Sequence, residues 1–468
     1  TAAIIASAMN ASVLQIWTDV SGMFTSNPKI VKNSKPIKKL SYLEAIELSH
    51  FGAKVLYPPT VLPVLSKHIP LLIKNTLAPE DEGTLITHVV ENRNPNPIKG
   101  ISNINSVALL TLQGNGMVGI PGFSKRLFET LAREKINVII ATQASSEHSI
   151  CVGIADKEST LAKYVIDKEF ENEISLFKID PLVVETNLSI IAIVGDQMKS
   201  HQGISGKMFS TLGRNNINIR AIAQGASERN ISAIIAESDV EKALNCLHER
   251  FFESETKQIN LFISGVGNVG KSLINQIEQQ KKYIKSTLNV KLKVIGLSNS
   301  KKMVLDKTGI NLNDWESVLN NGKKSGPIDF FEATKSLNLR NSIFVDITAS
   351  DMVASSYALY LKQSIAVVAC NKIACSSKIE NYLELKQLSH KYNVPFLFET
   401  NVGAGLPVID TLKHLINSGD KINTVHAVLS GSLNYIFNNY NKSTTFHDVV
   451  KQAQTEGYTE PDPRIDLS

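Results

Sequence analysis

Three glycines, Gly265, Gly267 and Gly270, stand between an apolar β-rich run at 259–264 and a stretch at 271–280 with helical spacing. In Gly265-Val266-Gly267-Asn268-Val269-Gly270 the first glycine can make the tight turn out of a strand. The second lets backbone approach a phosphate, the third permits close helix packing, and the helix N-terminus faces the anion. That spacing in a strand–turn–helix setting is a dinucleotide fingerprint, with Asn268 and Val269 in the same turn. The next β-rich run, 290–297, ends in Ser298-Asn299-Ser300-Lys301-Lys302, where an NAD site usually carries an acid for the ribose hydroxyls. The missing acid, with Ser300 and Lys301 in its place, suits the 2′-phosphate of NADP(H). The other reading of the lysines is a solvated surface run, and the sequence leaves both open.

Three more apolar runs, 343–348, 365–370 and 395–400, end in Asp346-Ile347-Thr348, Asn371-Lys372 and Glu399-Thr400-Asn401. Alternation with helical segments predicts a parallel sheet, and polar residues at strand ends suit a site at its carboxyl edge. Capping and loop solvation would produce the same pattern.

These groups must be positioned by a larger chain whose middle says nearly the same thing twice. Between 107 and 252, Gly114 pairs with Gly195, Gly122 with Gly203, Gln143 with Gln224, and Ser146-Glu147 with Ser227-Glu228, always at one offset. Such an ungapped match is the mark of a duplicated folding unit. Phe123, Leu127 and Leu131, like Ile204, Met208 and Leu212, fall on one helical face. Each copy reads strand, helix, strand, strand, helix, the order of a split βαβ unit. Gln143 and Gln224 stand at strand ends beside a serine-containing turn. A glutamine amide can donate to a carboxylate and accept from an ammonium or hydroxyl, which suits a small amino acid; an ordinary polar strand end is the alternative.

Before the repeat, a helix-prone segment (1–10) and an apolar run (13–18) lead to Thr18-Asp19 and a turn-rich loop containing Phe24 and Asn27-Pro28-Lys29. Ser41 and Glu44 form a capping box opening a predicted helix at 41–49. Phe51-Gly52-Ala53-Lys54-Val55-Leu56-Tyr57-Pro58 follows. A strand-end Thr-Asp and a lysine at a second junction could hold a nucleotide's phosphates, or could be turn chemistry and a solvated lysine. Linkers are expected at 88–97, which is polar and contains proline, and at 253–257, which is charged.

Composition limits the classes. The 468 residues suffice for about three domains with cores of their own. At 43% hydrophobic and 20% charged the chain is an ordinary globular one. The net charge of +5 is spread over scattered lysines without an arginine-rich stripe, so nucleic acid is not an expected partner. Cys151, Cys246, Cys370 and Cys375 lack metal spacing, so reduced thiols in a cytoplasm are expected. No apolar run reaches the roughly 18 residues of a membrane span.

Several stretches carry a family resemblance. WTDVSGMFTSNPKIV and SYLEAIELSHFGAKVLYPPT resemble the C-terminal half of the aspartokinase catalytic domain, and the repeat resembles paired ACT domains that sense amino acids. FISGVGNVG, VDITASD, ACNKIACSS, FETNVGAGLPVI, LSGSLNYIF and GYTEPDPRIDLS, in that order, resemble homoserine dehydrogenase. Together they are similar to bifunctional aspartokinase/homoserine dehydrogenases over essentially the whole chain. The fold implied is multidomain α/β: an amino-acid-kinase-like remnant (1–88), two ferredoxin-like ACT units (98–180 and 181–253), a Rossmann-type NADP-binding domain (258–400) and the start of an α+β catalytic domain (401–468).

By resemblance, Thr18, Asp19, Phe24, Lys29, Lys54 and Val55 are ATP-binding positions, with ATP and Mg2+ as the kinase cofactors. Gln143 and Gln224 would contact threonine as effector. Thr348 and Lys372 match cofactor- and substrate-proximal positions, Lys372 with a catalytic role, and Glu460 matches a homoserine-binding glutamate. Glu399 and the carbonyls of Val402, Ala404 and Leu406 match a monovalent-cation site for Na+ or K+. The activities implied are ATP-dependent phosphorylation of aspartate and NADPH-dependent reduction of aspartate 4-semialdehyde to homoserine, in a cytoplasmic dimer or tetramer.

There are departures. The family's Asp-Pro-Arg is Asn27-Pro28-Lys29 here, its His-Pro-Arg is Tyr57-Pro58-Pro59, and lysine lacks arginine's bidentate fork. The family's Lys-Phe-Gly-Gly segment is absent, and its proton-transfer aspartate and lysine would fall beyond Ser468. The chain is therefore expected to be a fragment that does not itself phosphorylate aspartate and lacks the presumed acid of the reduction. The contrasting expectation is an amino-acid-sensing regulatory protein with degenerate, non-catalytic flanks.

Overall fold

The capping signal at Ser41 and Glu44 forms as the spacing predicts. In the computed structural model, which describes residues 1–51, 55–88, 96–143, 148–196, 198, 201–225, 229–253, 257–459 and 462–467, the Ser41 hydroxyl accepts the Glu44 amide at 3.1 Å. The Glu44 carboxylate in turn accepts the Ser41 amide at 2.9 Å, so both orphan donors at the start of helix Tyr42–His50 are satisfied. This helix buries Tyr42, Ala45 and Leu48 with a four-stranded sheet ordered Leu14–Thr18, Leu71–Asn75, Thr84–Thr87, Lys39–Ser41. The two outer pairs are parallel and the central pair antiparallel.

The chain divides into two units. One comprises Thr1–Asn260, Gln280–Lys293 and Lys335–Asn341, the other Leu261–Gln279, Val294–Thr334 and Ser342–Ser468. Besides the four-stranded sheet, the first unit contains the duplicated region. Copy one supplies Gly100–Gln113, Phe123–Arg133, Ile140–Gln143, Ser149–Ala155 and Ser159–Glu169. Copy two supplies Val183–Val194, Ile204–Arg214, Ile219–Gln224, Asn230–Ala236 and Val240–Phe252. Their six strands form one sheet, ordered Ile140–Gln143, Ser149–Ala155, Gly100–Gln113, Val183–Val194, Asn230–Ala236, Ile219–Gln224.

The two leading strands are twice the length the apolar pattern predicts, because each serves both copies. Residues 107–113 pair with Ser149–Ala155 of their own copy, while 100–104 pair with 190–194 of the other; 183–185 return the exchange onto 109–111. Register breaks at 104–107, and the break carries a left-handed residue at the same place in both copies, Ser106 and Asn187, each with φ 56°. Both faces of this sheet are covered. Phe123, Leu127 and Leu131 join Leu110, Leu112 and Val152 in one core, and Ile204, Met208 and Leu212 join Ile191, Ile193 and Ile235 in a second. Val107, Leu109, Leu188 and Ile190 turn the other way, into the core of the N-terminal sheet. Alternating strand residues thus supply two cores at once.

A seven-stranded sheet, most of whose residues belong to the second unit, is ordered Lys323–Lys324, Lys302–Leu305, Val290–Ser298, Lys257–Ser264, Ser342–Asp346, Ala366–Ala369, Phe396–Leu397. Chain order reverses between Lys257–Ser264 and Ser342–Asp346, the topological switch point where open α/β sheets bind ligands. Two elements differ from what the sequence predicts. An antiparallel edge hairpin, with Lys302 opposite Lys324, is hidden in the sequence because its strands are only four and two residues long. The run at 395–400 is a strand only over Phe396–Leu397, and Glu399–Asn401 coils into a 3-10 turn. Residues beyond it form helices Ile409–Asn417, Gly431–Asn439 and Phe446–Thr455, with Ile436, Val449 and Ala453 buried together. Among the described residues no helix is long and apolar enough to cross a membrane.

Candidate active site at the switch point

A cavity of about 430 Å³ opens at the switch point, lined by Gly265, Val266, Gly267, Asn299, Ser300, Lys301, Ile347 and Thr348. Its size is that of a ligand pocket. The three fingerprint glycines have three different reasons to be glycine. Gly265 has φ 99°, and a Cβ there would lie 2.5 Å from the carbonyl oxygen of Ile347. At Gly270 a Cβ would lie 2.2 Å from the Gly265 carbonyl oxygen, so the helix could not begin this close to the turn. At Gly267 a Cβ would meet nothing within 4 Å. No packing demand of the chain requires glycine there, and the space suits a phosphate resting on backbone. Helix Asn268–Thr287 starts directly behind it, so its unpaired amides and positive dipole end border the same space.

The opposite rim is shaped by an asparagine turn. Asn299 Oδ1 accepts the amides of Lys301 at 2.8 Å and Lys302 at 2.7 Å, which bends the chain and presents Ser300 and Lys301 at the cavity edge. The strand-end residue Ser298 is buried and donates to Ser264 Oγ at 3.1 Å. No carboxylate lines the cavity among the described residues, while a lysine does.

The third wall leads to a buried polar cluster. Asp346, fully buried, accepts the Thr348 amide at 2.7 Å on one oxygen. The other accepts the Tyr357 hydroxyl at 2.6 Å and Asn371 Nδ2 at 3.0 Å. Asn371 also donates to the Ser350 carbonyl at 3.0 Å and accepts the Ile373 amide at 3.1 Å, binding the loop after one strand to the turn after the next. Burial pushes the Asp346 carboxyl above its usual range, although the Tyr357, Thr348 and Asn371 hydrogen bonds oppose this. Burial and then the neighbouring Asp346 charge push the Tyr357 hydroxyl upward. Cys375, in the short helix that follows, is raised to about 11 by burial.

The structure thus gathers Gly265, Gly267, Ser300, Lys301 and Thr348 around one cavity. Asn268, Val269 and Gly270 form the helix start behind it, with Val269 exposed. Lys372 is not in the cavity wall. Its side chain is exposed, but its backbone follows Asn371, which is tied to the wall through Asp346. Sequence reasoning marks the polar strand ends but does not single out Asp346 or Tyr357. The available signal is an acid ending an apolar strand, where a buried charge demands partners.

Glu399 serves the fold directly. Its oxygens accept the amides of Ile409 at 2.9 Å and Asp410 at 2.8 Å, capping helix Ile409–Asn417. Val402, Ala404 and Leu406 lie in the loop that this contact closes, with Gly403 at φ 74° and Ala404 at φ 50°. By residue type, one carboxylate and three backbone carbonyls are hard oxygen donors that suit a hard cation, although both Glu399 oxygens already accept backbone amides. Glu460 lies outside the described residues.

In the first unit Gln143 and Gln224 are both exposed and both face the start of their copy's first helix. Gln143 Oε1 accepts Ser124 Oγ at 3.5 Å, and Gln224 Oε1 accepts Ser205 Oγ at 3.0 Å. Each helix begins after a left-handed glycine, Gly122 at φ 108° and Gly203 at φ 81°. The adjoining turns, with Ser146-Glu147 and Ser227-Glu228, lie outside the described residues. Thr18 ends its strand and donates to Asp19 at 3.1 Å; Phe24 and the exposed Lys29 lie in the loop beyond, Val55 is half-buried, and Lys54 lies outside the described residues.

Comparison with known proteins matches this architecture part by part. Residues 1–75 match the amino acid kinase family, 110–170 and 191–251 the ACT domain, 265–399 the homoserine dehydrogenase NAD-binding domain, and 407–468 homoserine dehydrogenase. A bifunctional aspartokinase/homoserine dehydrogenase of Haemophilus influenzae is 41% identical over 468 residues, covering 100% of this chain and 57% of the relative. Over its whole length the chain is similar to bifunctional aspartokinase/homoserine dehydrogenases. A chloroplastic member from Zea mays is 39% identical, again over 100% of this chain and 51% of its own length. The chain therefore spans about half the length of the curated relatives it matches. Among solved structures, the aspartate kinase of Clostridium acetobutylicum is 31% identical over 53% of this chain and 57% of that one, with a TM-score of 0.49.

Proposed function

We propose that the switch-point cavity binds NADP(H) and that the whole protein reduces aspartate 4-semialdehyde to homoserine, alongside phosphorylation of aspartate by its kinase part with ATP and Mg2+. The observation that carries this reading is the cavity's pairing of an open glycine, Gly267, with a rim made of Asn299, Ser300 and Lys301 and no acid. Bound there, the dinucleotide supplies the hydride that converts an aldehyde to an alcohol. The chain's residues do the rest. Amides at Gly267 and the helix start receive the pyrophosphate, and the Lys301 ammonium with Ser300 receives the 2′-phosphate. Thr348 borders the reacting end. Lys372 polarises the aldehyde oxygen as negative charge develops on it, and Glu460 holds the amino-acid end of the substrate. A monovalent cation at Glu399 and the carbonyls of Val402, Ala404 and Leu406 would brace the loop between cofactor and substrate parts.

The ACT copies are the regulatory part, each offering Gln143 or Gln224 with a helix N-terminus to one threonine molecule. The functional division follows the five segments 1–88, 98–180, 181–253, 258–400 and 401–468, in a protein that acts as a dimer or tetramer.

Calorimetric titration of the chain with NADPH, NADH and threonine tests this. NADPH should bind more tightly than NADH. Gly267→Asp should weaken it by at least about 100-fold, since juxtaposed like charges cost several kcal/mol. The added Cβ meets nothing within 4 Å, so that variant keeps its fold. Gln143→Ala with Gln224→Ala should abolish threonine binding and leave NADPH binding intact. Threonine binding without any nucleotide binding would instead identify a purely sensory protein.

A further inference from the structure

We propose that Asp346 is the positioning residue of the nicotinamide end of the site, holding Thr348 and Lys372 in one register from behind. This rests on the reading of the cavity as an NADP(H) site. Asp346 ends the strand beside the switch point, and its side chain is not part of the cavity lining. Its three hydrogen bonds go to the Thr348 amide, the Tyr357 hydroxyl and Asn371 Nδ2, at 2.7, 2.6 and 3.0 Å. Its own carbonyl oxygen accepts the Cys370 amide at 3.0 Å, fixing the neighbouring strand end as well.

Geometry gives this acid a reach into two loops at once. Through the Thr348 amide it sets the wall of the cavity, and the Thr348 hydroxyl in turn accepts the Ser350 amide at 3.2 Å. Through Asn371 it sets the turn from which Lys372 projects, because the same amide group spans to Ser350 on one side and Ile373 on the other. Two loops from adjacent parallel strands are thereby locked together by one carboxylate. Asp346, Tyr357 and Asn371 are 0%, 0% and 3% exposed, so no solvent competes for these bonds. The three donors surround a group whose removal takes an acceptor from each of them, which is how a residue out of reach of the ligand can set the shape of the ligand's wall.

Asparagine in place of Asp346 keeps the shape but turns one acceptor oxygen into a donor facing the Asn371 amide. Tyr357→Phe keeps the packing and removes one donor. The full chain, its Asp346→Asn and its Tyr357→Phe variants are titrated with NADPH and, separately, with 2′,5′-ADP, which has the 2′-phosphate but no nicotinamide. Asp346→Asn should weaken NADPH by about tenfold or more, the scale of one lost charged hydrogen bond. Its affinity for 2′,5′-ADP should stay within about twofold, because that ligand needs only the glycine turn and the Lys301 rim. Tyr357→Phe should shift NADPH in the same direction by a smaller factor. Parallel loss of both ligands would mean general collapse and would overturn the proposal, as would unchanged NADPH affinity. If Asp346→Asn does not fold, the same split is decided on Tyr357→Phe. Failure of the unmodified chain to bind either ligand overturns the nucleotide reading itself, and this inference with it.

Discussion

The two ACT copies share one sequence plan and differ in what they lean on. Where they agree, the agreement extends to backbone contacts. Gly114 is pressed against Lys178 and Ile179, and Gly195 against Pro97 and Ile98, the equivalent segment of the other copy. The amide of Asp180 donates to the Gln113 carbonyl at 2.9 Å, and that of Lys99 to the Val194 carbonyl at 2.8 Å. The polar side chains part ways. In copy one, Asp167 accepts the Leu182 amide at 2.7 Å and Lys163 at 2.9 Å, and Arg126 pairs with Glu169 and Glu173 over the Phe170 ring, all within the copy or its return strand.

In copy two the helix position of Asp167 is taken by His248. It is fully buried and bonded to Thr25 of the N-terminal part at 2.9 Å and to Glu253 at 2.8 Å. The Asp196 amide donates to Glu44 at 3.1 Å, its carboxylate accepts Ser41 Oγ, and Asn230 donates to Glu47 at 2.7 Å. Of these side chains, copy one's bond within the copy and copy two's reach the kinase-like part, although the leading strand of copy one also touches that part, Ser102 Oγ donating to the Phe51 carbonyl at 2.6 Å. A duplicated unit therefore keeps its backbone frame while polar side chains outside the apolar clusters take on partners particular to each copy.

The comparison breaks most visibly at Glu44. Glu44→Ala leaves the buried Ser41 amide and the half-buried Asp196 amide without an acceptor and should cost about 2–4 kcal/mol of unfolding free energy. Asp167→Ala, which touches copy one at a partly exposed site, should cost about 1–2 kcal/mol. Urea unfolding of both variants measures this, and equal losses would refute the asymmetry. The shared frame makes the opposite demand. Gly114→Ala and Gly195→Ala each drive a Cβ into backbone, at 2.4 and 2.0 Å, so both should destabilise by about 1–3 kcal/mol and by similar amounts. A loss confined to one copy would show that the frames are not equivalent.

The smallest effect is in pH. Burial holds the Glu44 carboxyl above its ordinary value, with the nearby Asp196 charge adding to the rise and the Ser41 and Asp196 amides opposing it. A raised carboxyl in the folded state favours folding while it is protonated, below the ordinary carboxyl range, and that contribution is lost as pH climbs through the folded value. Relative to Glu44→Gln, the unmodified chain should lose stability as pH rises from about 4 toward neutrality. Thermal unfolding across that range, with no change in the difference between the two, would contradict the assignment.

Much of the site was legible because its causes are local. The glycine turn and the capping box depend on residues within a few positions of one another, and their residue types name the geometry. The Asp346 cluster was not legible, since its members at 346, 348, 357 and 371 meet only when two strands lie side by side. The strand exchange between the ACT copies escaped for a similar reason. An apolar run reports that a strand is buried, but not which of two equivalent sheets it enters.

What this sequence determined by itself is the set of parts: a duplicated βαββα unit, a strand–glycine–helix turn built to meet an anion, and strand ends that are polar where a parallel sheet presents them. These follow from φ freedom, hydrogen-bonding capacity and apolar period, which each residue carries with it. Only the tertiary structure decided that polar side chains of copy two bond the kinase-like part, that Glu399 caps a helix, and that one buried aspartate ties a cavity-wall loop to the turn after the neighbouring strand. Those outcomes depend on which buried polar groups find partners at long range, and desolvation makes an unpartnered group too costly to leave such a choice to local sequence.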